Sequence, residues 1–128
     1  MAWIWIGVDV ALAIHDEQIA EHSGASGCRD LGLLQSALAR PINQASYGNP
    51  DIADLAAAYC IGIVRSHPFL DGNKRTGFVL AELFLELNGC TSTASDLDCV
   101  TAVMGLADGT LGDADFAAWI RAHLLEIR

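Results

Sequence analysis

Positive charge is scarce in this sequence. Lysine and arginine together number 7 against 16 aspartates and glutamates, a formal charge of −9, and so acidic a surface repels a phosphate backbone over most of its area. General nucleic-acid binding is therefore disfavoured. Aromatic residues are few as well, at 7% of the chain, and alanine and leucine rather than β-branched residues dominate the apolar half, which argues for a helical bundle over a sheet. The four cysteines, Cys28, Cys60, Cys90 and Cys99, form no CxxC pair and no Cys/His cluster at zinc spacing. Reduced thiols in a cytoplasmic protein are the expectation. No internal repeat, linker or low-complexity segment interrupts the chain, and 128 residues suffice for one domain with its own core. The apolar start, Met1 to Gly7, lacks a basic flank and is far shorter than the roughly 20 helical residues that span a bilayer. Neither export nor membrane insertion is expected.

What is present reads as a series of helices. Ile4 and Ile6 with the flanking tryptophans suit a short extended arm. Val8, Leu12, His15 and Ile19 then mark one face of a first helix that ends near Ser23. Gly24, Gly27 and Gly32 make the stretch from His22 to Gly32 a loop. A second helix is predicted over about Leu31 to Ala39, before Pro41. Asp51 is placed to cap a third, with the stripe Ile52, Leu55, Ala56, Tyr59 and Ile63, and Pro68 stops it at His67. The fourth, about Lys74 to Asn88, is apolar around most of its circumference except at Glu82 and Glu86, which predicts a central, buried helix. Ser95 or Asp96 caps a fifth that Gly109 closes, and the last begins near Asp113 with Phe116, Ala117, Ile120, Leu124 and Ile127 at helical spacing. The expected fold is all-α, a compact six-helix bundle.

The chemistry concentrates in His67-Pro-Phe-Leu-Asp-Gly-Asn-Lys-Arg-Thr76, at the junction of the third and fourth helices. The first turn of a helix offers unpaired N–H groups and a partial positive charge, a ready anion site. Gly72 lets the backbone approach an anion, and Asn73, Lys74 and Arg75 add donors beside it. His67 supplies a proton acceptor, and Asp71 an oxygen ligand for Mg²⁺. A Lys-Arg pair in a helix's first turn opposes the dipole, which argues for an anionic ligand rather than for stability. The plainer alternative makes Asp71 an N-cap and Gly72 a turn residue. Phe69 reads as a core anchor, and His15, His22 and His123 as exposed or structurally hydrogen-bonded histidines.

These residues resemble the HxFx(D/E)(A/G)NK/GR motif of Fic and Doc proteins. Leu12-Ala-Ile-His-Asp16 followed by a glycine-rich loop, and Thr76 to Gly89 ending in Asn-Gly, are also similar to Doc proteins, so the resemblance covers most of the chain. It implies a six-helix Fic/Doc bundle and a toxin that moves the γ-phosphate of ATP to a threonine or serine hydroxyl. The target it implies is elongation factor Tu, with arrest of translation, and the partner is a Phd-type antitoxin. In that scheme His67 is the general base, Asp71 holds Mg²⁺, Gly72 and Asn73 line the anion hole, and Lys74 and Arg75 contact the phosphates, assisted by Arg65. The loop from His22 to Gly32 corresponds to the family's flap. Adenylylating Fic enzymes carry glycine where this chain has Lys74 and a second arginine where it has Phe78, which favours phosphoryl over nucleotidyl transfer. Val79 stands where Doc carries a polar residue. AMP transfer to a protein hydroxyl and a non-catalytic module that binds an anion or a partner remain the alternatives.

Overall fold

The computed structural model describes residues 2–128. Six helices form in the order α1 (Val8–His22), α2 (Leu31–Tyr47), α3 (Ile52–Ser66), α4 (Asn73–Leu87), α5 (Asp96–Asp108) and α6 (Asp113–Ala122). A two-stranded antiparallel ribbon, β1 (Cys90–Ser92) with β2 (Leu124–Glu126), closes one end with Cys90 opposite Glu126. The expected helical bundle is present, and no helix among the described residues is long and apolar enough to cross a membrane.

Several helix boundaries follow from local chemistry. Asp51 accepts from the Asp54 amide at 2.9 Å while the Asp54 carboxylate accepts from the Asp51 amide at 3.1 Å, a reciprocal capping box that starts α3. Ser95 caps α5 through the Asp98 amide, and Gly109 leaves that helix in the left-handed conformation.

Burial is greatest on α3, where eleven of fifteen residues are inaccessible. The most enclosed helix is thus α3 rather than α4, which keeps Phe78, Val79, Glu82 and Leu83 half-open. Alanines and a glycine explain this, because small side chains let neighbours approach α3 from every side. At Gly62 a Cβ would fall 3.1 Å from the Ala37 carbonyl, and at Gly77 of α4 one would fall 3.2 Å from the Cys60 carbonyl. The first of these contacts also bears on Pro41. The predicted end of the second helix before Pro41 is incorrect: α2 continues to Tyr47 with Pro41 buried inside it. Proline removes the N–H that would have bonded to Ala37 O, and that carbonyl lies against Gly62, where a Cβ would be too close.

The N-terminal arm is anchored as extended chain. Ile6 N donates to the Tyr59 hydroxyl at 2.9 Å, Ile4 exchanges two hydrogen bonds with the Asn88 side chain, and Trp3 and Trp5 pack on Phe84. The other correction lies at the C-terminal end. Leu124 and Ile127 do not extend the last helix, because His123 caps α6 and residues 124–126 pair their main chain with β1.

Candidate active site

The segment between α3 and α4 is held from three directions. His67 ends α3 in the left-handed region at φ 50° and ψ 57°, where a side-chain-bearing residue carries about 1 kcal/mol of strain. Arg29, from the glycine-rich loop, holds it there. Its guanidinium donates to His67 O at 2.9 and 2.7 Å and to Ser66 O at 3.1 Å, placing a cation at the negative end of the helix. The same loop pairs with the segment as a short antiparallel bridge, Cys28 opposite Phe69, with Arg29 N and Asp30 N donating to Pro68 O and Leu70 N to Gly27 O. From inside, the buried Asn73 side chain clamps Phe69, accepting from its amide at 3.1 Å and donating to its carbonyl at 3.0 Å. These two bonds fix the orientation of the Asn73 amide. Its nitrogen therefore faces His67 Nδ1, at 3.4 Å. So long a contact is weak, and the imidazole is exposed.

The start of α4 has the features of an anion site. Gly72 occupies the N-cap at φ 75° and supplies no side chain to the first-turn amides. A Cβ there would meet Ile19 Cδ1 at 3.2 Å and Arg75 Nη2 at 3.6 Å, so α1 and the Arg75 guanidinium close in on this glycine. Lys74 and Arg75 are exposed, and neither forms an ion pair among the described residues. Arg75 Nη2 donates to Ser23 O at 3.3 Å, and Asp71 Oδ2 accepts from Ala25 N at 2.9 Å. The glycine-rich loop thus touches both a cation and the carboxylate.

The donor set can be tested against Mg²⁺. No group of three His, Cys, Asp or Glu side chains among the described residues could hold a metal ion, so Asp71 would act as the single protein carboxylate. Mg²⁺ is commonly bound by one or two carboxylates together with substrate phosphates and water. The residues therefore fit an ion that arrives with a polyphosphate, rather than a caged resident metal.

Six of the seven residues singled out in the sequence, His67, Asp71, Gly72, Asn73, Lys74 and Arg75, gather in this loop and helix turn. Arg65 has another partner. Its Nη2 lies 2.6 Å from Asp113 Oδ1 at the start of α6, a carboxylate that Arg40 also approaches at 3.3 Å. Val79 lines a hollow of about 390 Å³ between α1, α4 and α5, together with Lys74, Arg75, Phe78, Val100 and Met104. Phe69 is buried as expected of a core anchor. Sequence reasoning missed Arg29, which had no signal beyond being a lone cation in a glycine-rich loop. His15, read as exposed or structurally hydrogen-bonded, is the latter: it is buried, with Nε2 2.8 Å from Asp71 O.

Residues 5–85, a span that takes in the flap-like loop and the whole of this site, match the profile of the Fic/DOC family. The chain belongs to the Fic/DOC family. Among curated relatives it is 29% identical over 117 residues to the protein kinase doc of Escherichia phage P1, covering 91% of this chain and 92% of that protein. It is 46% identical over 74 residues to the toxin Doc of Mycolicibacterium smegmatis, covering 55% of each. Within the Fic/DOC family, both relatives place it on the Doc side.

Proposed function

We propose that this protein is a Doc-type toxin that transfers the γ-phosphate of ATP to a threonine or serine hydroxyl of a target protein, elongation factor Tu being the target the resemblance suggests. One observation carries the reading: Lys74 and Arg75 stand at the positive end of α4 with no carboxylate partner among the described residues, in a chain with 16 acidic residues. Two unpaired cations beside open helix amides suit a polyphosphate. The names of the relatives, a protein kinase and a toxin, point the same way.

In this mechanism His67 takes the proton of the target hydroxyl as its oxygen bonds to the γ-phosphorus. The bond from that phosphorus to the bridging oxygen breaks, and ADP departs. Lys74, Arg75 and the first-turn amides hold the phosphates in line, and positioning with charge neutralisation supplies most of the rate in such transfers. Mg²⁺, held through Asp71, would neutralise charge on the phosphates. Arg29 and Asn73 keep the imidazole and the anion hole in register.

A Phd-type antitoxin is the expected partner. The apolar hollow beside Lys74 and Arg75, walled by Phe78, Val79, Val100 and Met104, suits an apolar segment carrying an acid that meets the two cations. The test is incubation of the native protein and His67→Ala with γ-labelled ATP, Mg²⁺ and cell extract. Loss of the general base should lower labelling by about 10²- to 10⁴-fold. The labelled target should gain the mass of one phosphate. A gain of one nucleotide would replace the reading with AMP transfer, and equal growth arrest by both proteins without labelling would replace it with a binding module.

A further inference from the structure

The peptide between Asp71 and Gly72 has an unusual support. His15 of α1 is 1% exposed, and its Nε2 lies 2.8 Å from Asp71 O. A carbonyl oxygen only accepts, so Nε2 carries the proton and the ring is held in one tautomer. The same ring stacks on Phe69, with centroids 3.8 Å apart and planes 4° from parallel. One residue of α1 therefore touches both ends of the loop segment that Asn73 clamps from the other side.

We infer that His15 is a positioning residue for the anion site, locking the orientation of the Asp71–Gly72 peptide so that the Gly72 N–H faces outward to a phosphate oxygen. This inference rests on the proposed function above. A trans peptide directs its C=O and N–H to opposite sides. With Asp71 O drawn inward to His15, Gly72 N–H must point away from α1, and it has no acceptor among the described residues. Peptides that precede glycine turn over readily, because glycine accepts either sign of φ. At φ 75° Gly72 already occupies one of the two forms, and the His15 bond selects it. A leucine or phenylalanine could fill the same volume, but neither could donate this bond.

His15→Phe keeps the stacking and removes the donor, whereas His15→Gln restores an N–H at comparable reach. His15→Phe should weaken ADP binding in the presence of Mg²⁺ by about tenfold, the equivalent of one buried hydrogen bond, and should raise KM for ATP more than it lowers kcat. His15→Gln should recover most of the loss. The orientation of the Gly72 N–H vector, measured by residual dipolar couplings on the ligand-free protein, should match in native and His15→Gln and differ or average in His15→Phe. An unchanged vector in folded His15→Phe overturns the inference. If the native protein neither binds ADP nor transfers phosphate, the proposed function fails, while the vector still decides the role of His15. If His15→Phe does not fold, nitrogen spectra of the native imidazole decide: the Nε2–H tautomer supports the inference, and the Nδ1–H tautomer overturns it.

Discussion

Removing the Asn73 clamp should loosen the loop at a cost that can be worked out beforehand. Its side chain makes two hydrogen bonds to the Phe69 main chain, at 3.1 and 3.0 Å, with Asn73 7% and Phe69 1% exposed. A buried hydrogen bond contributes about 1 kcal/mol net, and a buried polar group left without a partner costs about 1–3 kcal/mol. In Asn73→Ala the Phe69 amide and carbonyl are both stranded, and the total should be about 3 kcal/mol. At roughly 2.1 cal/mol/K of unfolding entropy per residue, that corresponds over 128 residues to a fall in Tm of about 10 °C. Urea unfolding is the assay, since a shifted midpoint at constant slope isolates stability from any change in compactness. Asn73→Asp separates the two halves of the clamp: a carboxylate still accepts from the Phe69 amide but faces the Phe69 carbonyl with a second acceptor, so it should be no more stable than Asn73→Ala. A loss under about 1 kcal/mol in Asn73→Ala, or native stability in Asn73→Asp, would refute the reasoning.

Other perturbations test the frame around the site. Ser23 sits at φ 61° and ψ 176°, a region adopted almost solely by glycine; Ser23→Gly should raise the unfolding free energy measured in urea by up to about 1 kcal/mol, net of glycine's greater unfolded-state entropy, and a lowered value would show that no strain is stored there. The Arg121 guanidinium bonded to Asp51 holds that carboxyl down at about 2. A depressed folded value means that the stabilisation is complete above about pH 4 and is lost as pH falls toward 2, so Arg121→Ala should cost about 1 kcal/mol near neutrality, discounted for solvent exposure, and nothing in strong acid. Burial, reinforced by the negative charges of Glu86 and Asp96, raises the Glu82 carboxyl. The folded state then takes up protons more readily than the unfolded chain, so Glu82→Gln should raise the midpoint at neutral pH, with a gain that shrinks on acidification; a gain independent of pH would refute this.

The sequence disclosed what is decided locally. Asp51, Ser95, Gly109 and Pro68 each act on backbone within a few residues, and each marks a helix end where expected. The site motif was legible for the same reason, since its residues are contiguous and one helix turn gathers them. What escaped depends on partners distant in the chain. Pro41 lies inside α2, and the carbonyl it leaves without a helical partner packs against Gly62 on another helix. Residues 124–126 carry a helical pattern but pair with a strand more than thirty positions away. Arg65 could be noticed as a cation near the histidine, but nothing in its neighbourhood announces Asp113, 48 residues on. That His15 is structurally hydrogen-bonded was one of the two readings open to it, but its acceptor, Asp71 O, lies 56 residues away and no local pattern names it.

Those distant contacts also bear on how ligand would enter. The two groups proposed to meet Mg²⁺ and phosphate are both occupied by the glycine-rich loop, Asp71 through Ala25 N and Arg75 through Ser23 O. Both bonds are solvent-exposed, so each contributes little and gives way easily to a charged ligand. The bonds that shape the loop are of another kind: the Asn73 clamp is buried, the His15 bond has a buried donor, and neither need break. The site therefore divides into an inner frame set before ligand arrives and an outer pair of contacts that ligand can replace. Preorganised donors of this sort are what electrostatic catalysis requires, because no reorganisation is then left to the reacting state. Ser23, in the loop that makes these outer contacts, sits in a backbone region adopted almost solely by glycine, so that those contacts are the less firmly held of the two sets.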